Sequence, residues 1–289
     1  MKVILAENAG FCFGVKRAMK LAFEAAGNSE SPIYSLGPLI HNPQQVELLS
    51  QKGVHEVSSL ESLKPGDVLI IRSHGTTPLI LDEAKAKGLK IVDATCPFVV
   101  NAQKLAQTLS SEGYQVIIVG EGEHPEVIGI MGFTGNKAWV IDKANAVKGL
   151  PYKKRIGVVA QTTQSFDNFR EVVSALLEKC DELKAFNTIC HATTQRQEGA
   201  IELARNVDVM IVVGGHNSAN TSRLASLCKS SGVPTYHIET ADELDKSWFK
   251  GMKTVGVTAG ASTPEWIIDE VISKLESTDK NTNPESVDH

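Results

Sequence analysis

The stretch LKIVDATCPFVVNAQKLAQTL, residues 89–109, decides the fold. A short apolar run (Leu89–Ala94) ends at Cys96, and Pro97 then opens an amphipathic helical pattern. Proline suits the first turn of a helix, where its missing N–H leaves no hydrogen bond unmade. The cysteine therefore stands at a strand-to-helix junction. One such cysteine would mean little, because a thiol is often buried simply as a small apolar group. The setting recurs, however. MKVILAENAGFC closes at Cys12 and is followed by VKRAMKLAFEAA; LKAFNTIC closes at Cys190 and is followed by TTQRQEGAIELA.

The register continues beyond those helices. About 24 residues after each cysteine a glycine marks a strand end, in YSLGPLIHN, IVGEGEHPE and VVGGHNSAN, the spacing of one strand–helix–strand unit. A second polar strand end follows in each copy: RSHGTTP, AQTTQSF and AGASTPE. The apolar runs KVILA, DVLIIRS, LKIVDA, YQVIIVG, RIGVVAQ, VDVMIVVGG and KTVGVTAG are continuous rather than alternating, as suits parallel sheets covered on both faces. Length alone suggests roughly two domains at about 150 residues each, but the repeat predicts three copies of one α/β unit. The expected architecture is α/β, with three pseudo-threefold-related lobes of mostly parallel sheet around a central site. The lobes span 13–96, 97–189 and 190–275, the last completed by the strand in 1–12. The polar stretch 276–289 is expected to be a disordered tail. Ligands of open α/β sheets sit outside the carboxyl ends of strands, and three lobes about one axis would bring Cys12, Cys96 and Cys190 together. Cys180 and Cys228 have no counterparts and are expected mid-helix, as packing residues.

The 289 residues carry a net charge of −5 with no basic block, so no face is marked for nucleic acid or anionic lipid. MKVILAENAG is too short and polar for a signal peptide, and no run approaches a membrane span. A cytoplasmic protein is expected, whose five cysteines serve as reduced thiols, metal ligands or catalytic groups rather than disulfides.

Three converging thiolates exclude a Cys₄ cage, and the close C-x₂-C pairs of structural zinc are absent. A cluster with one open iron, a Cys₃ zinc hydrolase site, an iron–sulfur sensor and plain packing all remain compatible with the spacing. The other strand ends supply His41, His74, His124, Glu126, Thr162, Thr163, Ser218, Asn220 and Ser262. Hydroxyls, amides and imidazoles beside helix N-termini suit a phosphate or diphosphate. There is no P-loop, and GEGEHPE does not match G-x-G-x-x-G. Taken singly, such residues read as turn and N-cap chemistry; their recurrence in three lobes favours a site. GEGEHPE offers Glu121, Glu123 and Glu126, and spacing does not choose among them.

With AGFCFGV, SLGPLIHN, RSHG, DATCPFV, GEHPEV, QTTQS, TICHATTQRQ, NSANTSRL and TAGASTP in view, the chain resembles the 4-hydroxy-3-methylbut-2-enyl diphosphate reductase family over nearly its whole length. That resemblance implies one 4Fe–4S cluster per chain on Cys12, Cys96 and Cys190, with the remaining iron open to substrate. It implies a pocket lined by His41, His74 and His124, with Thr162, Thr163, Ser218, Asn220 and Ser262 as further substrate contacts and Glu126 as the proton source. The implied reaction is reductive dehydroxylation of the allylic diphosphate to isopentenyl and dimethylallyl diphosphates, the last step of the methylerythritol phosphate isoprenoid route. The implied electron donor is a reduced ferredoxin or flavodoxin. Ala219 stands where many members carry a second serine, and His216 where lysine is common.

Overall fold

The computed structural model describes residues 1–280. In chain order the elements are β1 (Lys2–Leu5), α1 (Phe13–Asn28), β2 (Ile33–Leu36), α2 (Pro43–Gln51), β3 (Val54–Val57), β4 (Val68–Ile71), α3 (Pro78–Ala86) and β5 (Lys90–Asp93). They continue with α4 (Pro97–Ser111), β6 (Gln115–Val119), α5 (Pro125–Gly132), β7 (Trp139–Ile141), β8 (Lys153–Ala160), α6 (Phe166–Leu176) and β9 (Cys180–Ala185). The last are α7 (His191–Ala204), β10 (Val209–Val213), α8 (Ala219–Ser230), β11 (Thr235–Ile238), β12 (Thr254–Ala259) and α9 (Glu265–Lys280).

These strands make three four-stranded parallel sheets with one order: β3-β2-β4-β5, β7-β6-β8-β9 and β11-β10-β12-β1. In the third sheet the N-terminal strand takes the edge that β5 and β9 occupy in the others. The central strands bear out the continuous-run reading. All five residues of β10 and the Val116–Val119 segment of β6 are essentially inaccessible, and burying each such side chain contributes about 1.5–3 kcal/mol. Edge strands β1, β5 and β9 are only half-buried and carry Lys2, Lys90, Asp93, Asp181 and Glu182, charges that discourage further strand pairing.

The repeat extends to individual backbone hydrogen bonds. One residue beyond each edge strand, Ala6, Ala94 and Phe186 donate to Val257, Ile71 and Val158 at 2.8, 3.0 and 2.9 Å. Gly37, Gly120 and Gly214, the glycines of the repeat, donate to Val57, Ile141 and Ile238 at 2.9, 3.0 and 2.8 Å. Cys12, Cys96 and Cys190 donate to Ala261, Ser73 and Thr162 at 3.1, 2.9 and 2.9 Å. Each cysteine thus extends the ladder on the second polar strand end of its own sheet, one residue before a helix.

The chain divides into two compact units: Met1–Cys12 with His41–Pro43 and the segment from His191 onward, and Phe13–Ile40 with Gln44–Cys190. The first holds the sheet of β1, β12, β10 and β11; the second holds the other two sheets.

Three expectations need correcting. Cys180 is not mid-helix: α6 ends at Leu176, a single 3₁₀ turn intervenes, and Cys180 opens β9 in register with Lys153. Strand pairing there overrides a helix-like local pattern. Cys228 does lie within α8, fully buried. Residues 276–280, assigned to the tail, continue α9, because a helix anchored by buried Ile267, Ile268, Val271 and Leu275 extends at the cost of only one residue's ordering per added bond. The rest of that tail lies outside the described residues. Finally, the short edges β3, β7 and β11 are not among the apolar runs: VHEV and TYHI interrupt their apolar residues with polar ones, and WVI is only three residues long.

Candidate functional site

In the second unit the expected polar residues gather around α5. His124 is its N-cap: Nδ1 accepts the backbone N–H of Glu126 at 3.1 Å, and Pro125 takes the first helical position. His124 also meets the His74 ring edge to face, with centroids 5.4 Å apart. This geometry turns Glu126 into the interior, where it is 1% exposed. Thr162 holds both carboxyl oxygens, its N–H donating to Oε1 at 2.6 Å and its hydroxyl to Oε2 at 2.8 Å.

Burial raises the Glu126 carboxyl from 4.5 to about 7; the two Thr162 hydrogen bonds pull it down, and the charge of Glu121 pushes it further up. Desolvation outweighs both hydrogen bonds. The result is a carboxylic acid poised near neutrality, the range in which proton transfer is most efficient. Of the three glutamates in GEGEHPE, Glu123 is exposed and Glu121 half-exposed, so only Glu126 has this environment.

Thr162 also connects the acid to a cysteine, because its carbonyl accepts the Cys190 N–H. Thr163 Oγ1 accepts from Gln161 Nε2 at 3.1 Å, while Gln161 Oε1 receives the Glu121 N–H at 3.0 Å. Ser73, which takes the Cys96 N–H, is the neighbour of His74. Cys190, Glu126, Thr162 and His124 thus belong to one hydrogen-bonded chain, with His74 packed on it.

The first unit carries Cys12, His41, Ser218, Asn220 and Ser262. Ser218 caps α8 through Oγ, which accepts the Thr221 N–H at 3.4 Å. Asn220, on the first turn, is 5% exposed, and its Oδ1 and Nδ2 are both buried with no hydrogen-bond partner. An unsatisfied buried amide costs about 1–3 kcal/mol per group. Ser262 Oγ donates to the His41 carbonyl at 2.9 Å, and Ala261 beside it takes the Cys12 N–H.

Some residues escaped sequence reasoning. Arg196 on α7 is buried and donates to the Gly10 carbonyl at 2.8 Å, pinning the turn before Cys12. Its signal was an arginine at helical spacing with the buried Thr193, Gln197 and Ala200. Gly10 has φ +88°, and a Cβ there would stand 3.0 Å from Ile268 Cδ1, so glycine is required. Thr221 Oγ1 fills space left by two glycines; Cβ atoms on Gly260 and Gly214 would fall 2.0 and 3.0 Å from it. No local pattern in sequence marks that fit.

Cys180 and Cys228, the two cysteines outside the repeat, both have thiols raised by burial. Burial pushes the Cys228 thiol up to about 11, so it stays protonated and inert. Cys180 is also raised, first by burial and then by Asp181. Among the described residues no helix is long and apolar enough to cross a membrane.

A family model described as LytB protein matches residues 3–276. A protein of Pelobacter propionicus named 4-hydroxy-3-methylbut-2-enyl diphosphate reductase is 55% identical over 275 residues, covering 95% of this chain and 98% of that protein. Its namesake from Geobacter sulfurreducens is 53% identical over 279 residues, covering 96% and 98%. Among solved structures, the 4-hydroxy-3-methylbut-2-enyl diphosphate reductase described as the terminal enzyme of the non-mevalonate pathway is 48% identical, with TM-score 0.69 over 96% of this chain and all of its own. The reductase from Plasmodium falciparum is 30% identical, with TM-score 0.89 over 98% of this chain and 89% of its own.

Proposed function

Since the chain belongs to the LytB family of 4-hydroxy-3-methylbut-2-enyl diphosphate reductases, we propose that it performs the family reaction: two electrons and two protons remove the allylic hydroxyl as water, giving isopentenyl and dimethylallyl diphosphates. The observation that carries this reading is Glu126, an acid near pKa 7 buried on Thr162.

The donor set fits an iron–sulfur cluster. Cys12, Cys96 and Cys190 are half-buried, occupy one equivalent ladder position in three sheets, and each directly precedes a helix. We assign them as the three ligands of one 4Fe–4S cluster with an open iron. When bound, that cluster supplies electrons and a Lewis-acid site for the hydroxyl.

The protein's own residues do the rest. Glu126 delivers the proton that lets the oxygen leave as water, and Thr162 fixes its carboxyl while tying its position to the Cys190 backbone. His74 and His124 stand beside this acid, and His41 completes the imidazole set. Asn220, with its buried amide, binds the diphosphate together with Ser218, Ser262 and Thr163. We further propose lobe limits of 13–96, 97–189 and 190–275 with 1–12, a reduced ferredoxin or flavodoxin as electron donor, and action in the cytoplasm. The test is anaerobic turnover of 4-hydroxy-3-methylbut-2-enyl diphosphate with dithionite and methyl viologen. Formation of both products by iron- and sulfide-containing protein supports the reading; zinc in place of iron, or no products, rejects it.

A further inference from the structure

Behind the loop that leads into Ser218 and Asn220 lies a set of groups with no part in the proposed chemistry. Strand β10 ends at Val213, and Gly214–Asn217 must then turn into α8. Two side chains from the end of β11 grip this turn. The His237 ring nitrogen Nε2 donates to the Gly214 carbonyl at 2.8 Å, and Glu239 Oε1 accepts the His216 N–H at 2.7 Å.

Glu239 is itself held in place. Its own N–H and that of Thr240 donate to Glu243 Oε1 at 2.8 and 3.0 Å, and Thr240 and Glu243 form a reciprocal capping box around the Ala241–Glu243 turn. The other Glu243 oxygen lies 3.5 Å from His216 Nε2, and the His216 and His237 rings stand 4.4 Å apart. On the loop's inner side there is no slack: a Cβ on Gly215 would meet Asn217 Oδ1 at 2.7 Å and the His41 carbonyl at 3.0 Å. Ser222 Oγ donates to the His216 carbonyl at 3.2 Å, fastening the turn to α8.

We propose that Glu239, with His237 beside it and Glu243 behind it, is a positioning residue for diphosphate binding: it sets the Gly214–Asn217 turn so that Ser218 and the buried Asn220 amide face the ligand. The carboxylate contributes through its acceptor oxygen rather than its charge, which would only repel a diphosphate. A hydrogen bond to a backbone N–H needs an oxygen at that place, and glutamine offers one. This inference rests on the diphosphate reading above.

Glu239→Ala, Glu239→Gln and His237→Ala are compared with the wild type in holoenzyme form. The readouts are anaerobic KM and kcat for the diphosphate substrate, the inhibition constant of inorganic pyrophosphate, the cluster absorption spectrum and Tm. Glu239→Ala should raise KM and the pyrophosphate constant together by roughly three- to tenfold, with kcat within about twofold, as for loss of binding shared by ground and transition states. Glu239→Gln should return both constants to the wild-type value or below. A fall in Tm with both constants unmoved would reduce Glu239 to a structural brace and overturn the proposal, as would a Glu239→Gln enzyme as impaired as Glu239→Ala. Should Glu239→Ala fail to fold, His237→Ala carries the same test through the Gly214 carbonyl. A wild-type enzyme indifferent to pyrophosphate and to the substrate would instead reject the diphosphate reading itself.

Discussion

Replacing Glu126 by glutamine should make the protein more stable and nearly inactive, and the structure gives the size and pH range of the first effect. The folded carboxyl titrates at about 7 against an ordinary value of 4.5. Between these values the folded protein binds more protons at this site than the unfolded chain does, so stability falls as pH rises through the interval. The group costs nothing below 4.5 and its full penalty above 7. At about 1.4 kcal/mol per pKa unit, that penalty is about 3 kcal/mol. Glutamine keeps the volume and an acceptor for the Thr162 N–H but has no proton to lose. The Tm advantage of Glu126→Gln should therefore be near zero at pH 4.5 and grow to roughly 5 °C by pH 8, with an unfolding entropy of about 2.1 cal/mol/K per residue over 289 residues. Calorimetry of anaerobic holoenzyme at several pH values measures it. Turnover at neutral pH should drop about 10²–10⁴-fold, the usual contribution of a general acid, and wild-type activity should decline above pH 7 as the acid ionises. A pH-independent Tm difference would show that burial does not raise this carboxyl. Near-normal turnover by Glu126→Gln, or an equal collapse in Glu121→Gln, would take the proton-donor role from it.

Cys12→Ser, Cys96→Ser and Cys190→Ser should each lose iron and activity, whereas Cys180→Ser and Cys228→Ser should keep both; iron and sulfide assays decide, and iron retained in Cys96→Ser would break the three-sheet equivalence. Asn220→Ala should raise KM for the diphosphate with an unaltered cluster spectrum and, because it removes an unsatisfied buried amide, leave Tm of the ligand-free protein unchanged or higher. Unchanged steady-state constants would place the diphosphate elsewhere. Gly10→Ala should lower stability by roughly 1–2 kcal/mol through the left-handed backbone alone, and more through the Ile268 contact; it should also lower iron content by displacing Cys12, and a variant with full iron and wild-type Tm would contradict the fit.

The three parallel sheets were legible because their central strands are buried on both faces. VLII, QVIIV and VMIVV need no partner information to read as strands, and the cysteine and glycine markers divide them among three repeats. The outer strands β3, β7 and β11 were not legible: VHEV and TYHI mix His, Glu, Thr and Tyr with apolar residues and resemble loops, and WVI is too short to stand out. Cys180 was misplaced for the same reason. Its neighbours have good helix propensity, and only pairing with Lys153–Val158 makes β9 a strand. Local preference loses wherever a long neighbouring strand offers a full set of backbone partners.

The candidate site divides along the same line. Residue types and recurrence sufficed to collect Cys12, Cys96, Cys190, His74, His124, Thr162, Ser218, Asn220 and Ser262, because each stands at a strand end or helix start that the repeat marks. What recurrence could not supply was environment. Glu121, Glu123 and Glu126 lie within six residues of one another, yet only the α5 start turns one of them inward onto Thr162, and that single turn converts an ordinary carboxylate into an acid near neutrality. Glu239 and Arg196 were invisible for a related reason. Each acts on a backbone group far away in sequence, His216 in one case and Gly10 in the other, and no spacing rule connects them. A side chain that binds ligand must sit where the fold presents ligands, so topology reveals it. A side chain that merely holds the presenting loop can come from any neighbouring element, and only the assembled contacts identify it.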